Sequence, residues 1–166
     1  MLLKPFNKLL ALPLCMCLAL ALPVYASDDV QGQVVGSPDA YDQSGFKPHE
    51  LSFSLPTDGL ARAEFRSEEF YAVILKSAKR CTLKEQDRFK IQKLFANNKV
   101  FMDRFNCDDD VEENITYSNV NPDFSFIAVY AGDEKASANA FFEQEKLGQK
   151  FPGANIRRMQ AILVFP

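Results

Sequence analysis

Residues 126–132 (Phe-Ile-Ala-Val-Tyr-Ala-Gly) have an earlier twin at 70–77 (Phe-Tyr-Ala-Val-Ile-Leu-Lys-Ser), and the match continues without a gap at an offset of about 56. Phe70 falls on Phe126, Ala72 on Ala128, Val73 on Val129, Lys90 on Lys146 and Phe95 on Phe151. Ile91 meets Leu147 and Val100 meets Ile156. A repeat of this kind constrains a fold more than any single motif, because each copy must form one supersecondary unit that buries its apolar face on the other. Each copy reads strand, helix, strand. Two copies are too few for a solenoid and enough to close one small α+β sandwich.

The elements follow from local patterning. Residues 70–77 are apolar, aromatic and β-branched enough for a buried strand. Thr82-Leu-Lys-Glu85 has the form of a capping box, so a helix is expected from there to about Asn97, with Ile91, Leu94 and Phe95 on one face. Residues 100–105 read as the second strand, 108–113 as a solvated charged turn and 115–120 as a short ribbon. Residues 125–131 read as the third strand. Asp133 is expected to cap a second helix that runs to Leu147 and closes at Gly148, and a last strand covers about 155–165. The order β-α-β-β-α-β predicts a split βαβ unit: a four-stranded antiparallel sheet with both helices on one face. Strands one and three lie side by side at its centre, which is where the repeat puts the twin segments.

Residues 1–26 stand outside that fold. Lys4 and Lys8 precede an apolar run over 9–22, and Val24-Tyr25-Ala26 supplies small residues, so a signal peptide cleaved after Ala26 is expected. The apolar run is shorter than the ~20 residues of a membrane span and is broken by Pro13 and Pro23. Without the leader, 17 basic groups face 22 acidic ones, a net charge of −5. That balance gives no general claim on nucleic acid or anionic lipid. The remaining cysteines, Cys81 and Cys107, read as one disulfide in an oxidising compartment, periplasmic or extracellular. Residues 27–66 are acidic and rich in Gly, Pro and Ser and read as a flexible arm. Only the run 51–55 alternates, and it would add an edge strand or cover a sheet face. The folded domain is expected at 67–166.

Period-two alternation divides the central strands between two faces. Tyr71, Val73, Leu75, Ile127, Val129 and Ala131 form the aliphatic set that should meet the helices. Phe70, Ala72, Ile74 and Lys76, with Phe126, Ala128 and Tyr130, form the other. If that face is open, it is an apolar patch suited to a ligand or a partner. If residues 51–66 or a second copy cover it, it is core.

Catalysis has little support. The sole histidine, His49, lies in the arm. No nucleophile elbow, glycine-rich loop or His/Cys cluster with metal spacing is present. The acids at 108–112 lack the alternation of a calcium loop. Asn114-Ile-Thr116 has the form of a glycosylation sequon and carries no meaning in a bacterial protein. No enzyme, cofactor or metal is expected.

The two βαβ halves behind a signal sequence and a low-complexity arm resemble the SPOR (sporulation-related repeat) domain of bacterial envelope proteins, over about 70–165. Residues 71–77 resemble that family's first strand, 126–132 its third, and Gly148 the glycine after its second helix. Ile74 stands where the family commonly has glutamine and Lys76 where it commonly has glycine. The resemblance implies non-catalytic binding of peptidoglycan glycan strands lacking stem peptides through the open sheet face. The candidate ligand-binding residues are Ile74, Lys76, Phe126 and Tyr130. The alternative is a small secreted interaction module, or a homodimer, using the same face.

Overall fold

The apolar runs of the repeat become the two longest strands of the protein. The computed structural model describes residues 31–36, 50–54, 64–103, 107 and 115–164. The expected signal peptide, the charge run 108–113 and Asn114 lie outside them. The elements are β1 (Gln31–Val35), β2 (Ser52–Ser54), β3 (Glu64–Ser67), β4 (Phe70–Lys79), α1 (Glu85–Gln92), β5 (Val100–Met102) and β6 (Ile115–Tyr117). There follow β7 (Phe124–Gly132), α2 (Lys135–Gln144), α3 (Leu147–Lys150), β8 (Asn155–Met159) and β9 (Ala161–Val164). The protein is α+β, with a five-stranded sheet β2-β1-β3-β9-β6 and a four-stranded sheet β5-β7-β4-β8 among the described residues.

The repeat is visible in the register of the four-stranded sheet. Val73 lies opposite its own repeat mate Val129, and Ala72 opposite Tyr130 mirrors Ile74 opposite Ala128. A local twofold axis therefore passes between Val73 and Val129. The edge strands obey it, since Val100 pairs with Val129 as Ile156 pairs with Val73. The irregularities obey it too: the register skips Leu75 on β4 and Ala131 on β7, and these two residues are repeat mates. A bulge of one residue inverts the alternation beyond it. Lys76 thus pairs with Ile127 on the helix side, and Ser77 takes the place opposite Phe126. The expectation that Lys76 shares a face with Ile74 and Phe126 fails for this reason.

The four-stranded sheet is buried on both faces. On one, Val73, Leu75, Val100, Ile127, Val129 and Ala131 pack with Leu83, Ile91 and Phe95 of the α1 region and with Ala138 and Leu147. On the other, Phe70, Ala72, Ile74, Phe101, Phe126 and Ala128 pack under Val34, Leu51, Phe53, Phe65, Tyr117 and Leu163 of the second sheet. The open sheet face that the resemblance implies is core, which is the alternative stated for it, and Leu51 and Phe53 of the alternating run 51–55 are among its cover. The described parts of 27–66 are strands β1, β2 and β3, which corrects the expectation of a flexible arm. Each large apolar side chain fully buried contributes about 1.5–3 kcal/mol, which offsets the ordering of one or two residues. Short strands with a few well-placed apolar residues therefore form once a ready-made apolar face lies beneath them.

At β3–β4 and at β8–β9 the chain passes from one sheet to the other within a residue or two, so the expected last strand 155–165 is divided at Gln160. Ser67 is fully buried at this corner. Its Oγ accepts the Ala161 N–H at 2.9 Å and donates to the Glu68 carbonyl, while Gln160 Nε2 donates to the Ser67 carbonyl. Arg158 pairs with Glu69 beside it.

The helices are shorter than their patterns suggest. Cys81 has φ 63° and donates its N–H to Ser125 Oγ, which holds Thr82 outside the helix. Lys84 becomes the N-cap, its N–H donating to Asp87 Oδ2. At the other end Gln92 Nε2 donates to the carbonyls of Phe95 and Asn98, and its Oε1 accepts the Val100 N–H. That side chain satisfies groups a continuing helix would have used, and α1 stops there. α2 begins from Glu134, not Asp133, and ends before Lys146, whose φ of 50° is left-handed. Gly148 lies inside the short α3. β4 and β5 both run antiparallel to β7, so their C-terminal ends share one edge of the sheet. Cys81 and Cys107 follow those ends and stand at disulfide distance, with Cα atoms 5.1 Å apart.

Candidate functional site

The end of the inter-sheet layer near the finish of β4 is not filled. Residues 118–124 lead from β6 into β7 there, and the turn is tied at several points. Ser118 exchanges hydrogen bonds with Gln160 through its N–H and its Oγ. Asn119, at φ 57°, a conformation asparagine tolerates better than most residues, donates its side-chain amide to the Arg158 carbonyl. Asn121 Oδ1 accepts the Asp123 N–H at 2.9 Å, closing an Asx turn. The Arg80 N–H donates to the Asp123 carbonyl. The result is a rigid turn that presents the ring of Phe124, 46% exposed.

Two cavities meet at that ring. The larger, about 340 Å³, is lined by Arg80, Asp103, Thr116, Tyr117, Val120, Pro122, Phe124 and Ser125. The smaller, about 120 Å³, has Ile74, Ser77 and Phe126 as its floor, with Asn155 and Arg157 of β8 and Asn119, Val120, Asn121 and Phe124 of the turn as walls. Arg157 is aimed by its neighbour: its Nε donates to Asn155 Oδ1 at 2.8 Å, and Asn155 Nδ2 donates to the Gly153 carbonyl. Across the two cavities the walls combine an aromatic face, neutral amides, hydroxyls, two guanidinium groups and the Asp103 carboxylate. Such a set can hold a polar, ring-shaped ligand by stacking and hydrogen bonds. Among the described residues no group of three His, Cys, Asp or Glu side chains converges to hold a metal.

The structure brings together two of the four sequence-derived candidates. Ile74, 8% exposed, and Phe126, 2% exposed, form part of the smaller cavity's floor and otherwise belong to the core. Lys76 lies on the opposite face, its Nζ 3.8 Å from an Asp87 oxygen. Tyr130 is half-buried at the far end of its strand, its ring centroid 5.7 Å from that of Phe70. A Cβ built on Gly36 would overlap the Tyr130 ring, so β1 ends in close approach to it. The Tyr130 hydroxyl donates to Asp133 Oδ1 at 2.5 Å. Burial, and then the adjacent carboxylate, push its pKa well above the usual tyrosine value. Tyr130 seals an end of the sheet.

Asn119, Asn121, Phe124, Asn155 and Arg157 escaped the sequence reading. Alternation continued backwards from Phe126 puts Phe124 on the same face, and Asn155-Ile-Arg157 alternates polar, apolar, polar around Ile156. Both signals were present. Neither identifies a site until the turn 118–124 is placed beside β8. Comparison with protein-family models, with curated proteins and with solved structures finds no match.

Proposed function

We propose that this chain is an exported, non-catalytic binding protein of the bacterial envelope that takes a glycan strand, with peptidoglycan as the first candidate. One observation carries this reading: two adjoining cavities meet at the half-exposed Phe124 ring, on a turn held rigid by its own hydrogen bonds. Two cavities with a ring between them suit a chain of sugars, the ring packing on one sugar face while amides and guanidinium groups take hydroxyls on either side. The cysteine pair supports an oxidising compartment. We read the four-stranded sheet, with its dyad-related bulges and flanking helices, as the split βαβ unit of a SPOR-like domain whose outer face has been covered by additional strands. Binding is accordingly assigned to the uncovered end of that face.

The test uses the full exported chain, because β1, β2 and β3 complete the core and a fragment starting at residue 67 would expose it. The protein is co-sedimented with intact peptidoglycan sacculi and with sacculi stripped of stem peptides by an amidase. Binding that rises on stripping, and that falls roughly tenfold in Phe124→Ala, is expected from loss of the ring's apolar contact. Failure to bind either preparation, or binding unchanged in Phe124→Ala, would refute the proposal.

A further inference from the structure

We propose that the smaller cavity is a carboxylate subsite, so that the ligand class is an acidic saccharide. This rests on the glycan reading above and narrows it. Arg157 is the one ionised group among the described residues of that cavity. Its Nε is engaged by Asn155 Oδ1, and the Nη1/Nη2 edge of the guanidinium supplies a pair of donors that matches two carboxylate oxygens. The anchor also lowers the side-chain entropy lost on binding, since Asn155 is itself held by the Gly153 carbonyl. Among the described residues no carboxylate lines the cavity to compete for the guanidinium.

The remaining donors are neutral. Asn121 has its Oδ1 occupied by the Asp123 N–H, so its amide nitrogen faces acceptors such as sugar hydroxyls. Ser77 adds a hydroxyl on the floor, in the position the bulge at Leu75 denies to Lys76. One cation with neutral amides and an aromatic edge suits a singly charged carboxylate on a sugar. A phosphate group, with its higher charge, calls for more cationic donors than this cavity has. A glycan strand freed of stem peptides carries such carboxylates, because cleaving the amide to the peptide leaves the acid on the sugar. Such a subsite favours stripped over intact strands, the order of binding expected above.

The full exported chain is titrated with amidase-stripped glycan strands and with the same strands after carbodiimide coupling of their carboxylates to ammonia. We expect the acidic strands to bind at least tenfold more tightly than the amidated ones. Arg157→Gln, at an exposed position that leaves the melting temperature unchanged, is expected to lose about tenfold for the acidic strands and to show no preference between the two. Equal affinity of the wild type for both forms, or a preference that survives in Arg157→Gln, overturns the carboxylate subsite while leaving the glycan reading standing. Absence of binding to both forms overturns the two together.

Discussion

The two ends of the four-stranded sheet are related by the internal repeat and have opposite fates. At one end Tyr130, Lys99, Phe101 and Asp133 stand with Phe70; at the other their mates Ile74, Asn155, Arg157 and Ser77 stand with Phe126. The first end is filled. Tyr130 packs on Phe70, the tip of β1 closes over the ring at Gly36, and Lys99 is buried with its N–H donating to the Gly36 carbonyl. The second end has an aliphatic side chain where the first has a ring, and a guanidinium where the first has Phe101. The first substitution leaves space and the second makes it polar. The repeat conserves the strand register and both bulges and differs in what stands at the ends. A cavity arises where one copy lacks the side chain that the other uses as a plug.

That contrast can be broken from the core outward. Phe126→Ala removes a ring in edge contact with Phe101 and Tyr117. It is expected to lower unfolding free energy by about 3–5 kcal/mol in chemical denaturation, an effect on stability that a surface stacking residue would not have. Gly36→Val forces a side chain into the Tyr130 ring and is expected to cost about 1–3 kcal/mol by overpacking. The same change would be mild if β1 were loosely attached. A smaller effect concerns Tyr130 itself. Its folded-state pKa is raised, so the fold favours the neutral phenol, and the stability this adds is full below the unfolded value of about 10 and lost as pH rises beyond it. Ultraviolet titration should find a tyrosine step raised above the ordinary range, and Tyr130→Phe should remove it.

How much of this was legible in the sequence differs by feature. The 56-residue offset and the apolar content of residues 70–77 and 126–132 led to two central strands, helices on one side and a cysteine pair at one edge, all present in the structure. The second sheet is faint in the sequence because residues 27–66 look dilute when read alone, and only the alternating run 51–55 points to cover. Yet the central runs contained a warning: a strand with one face in water alternates, whereas Ala72, Val73, Ile74 and Leu75 are apolar without interruption. Continuous apolar character implies cover on both faces. The misplacement of Lys76 has a narrower cause. A bulge moves every later side chain to the other face, and nothing at Leu75 announces one. Arg157 and Asn155 were legible only as an ordinary strand, since their place in the smaller cavity depends on the turn at Asn121, 34 positions before Asn155.

In the proposed function the open end of the sheet, and not its sealed twin, receives the ligand. The most direct measurement compares Ile74→Tyr, which gives the open end the ring its mate carries, with Tyr130→Phe at the sealed end, both assayed for binding to amidase-stripped sacculi. Ile74→Tyr is expected to fold with near-native stability and to lose binding by tenfold or more, while Tyr130→Phe binds as the wild type does. Undiminished binding by Ile74→Tyr, or a loss confined to Tyr130→Phe, would contradict it.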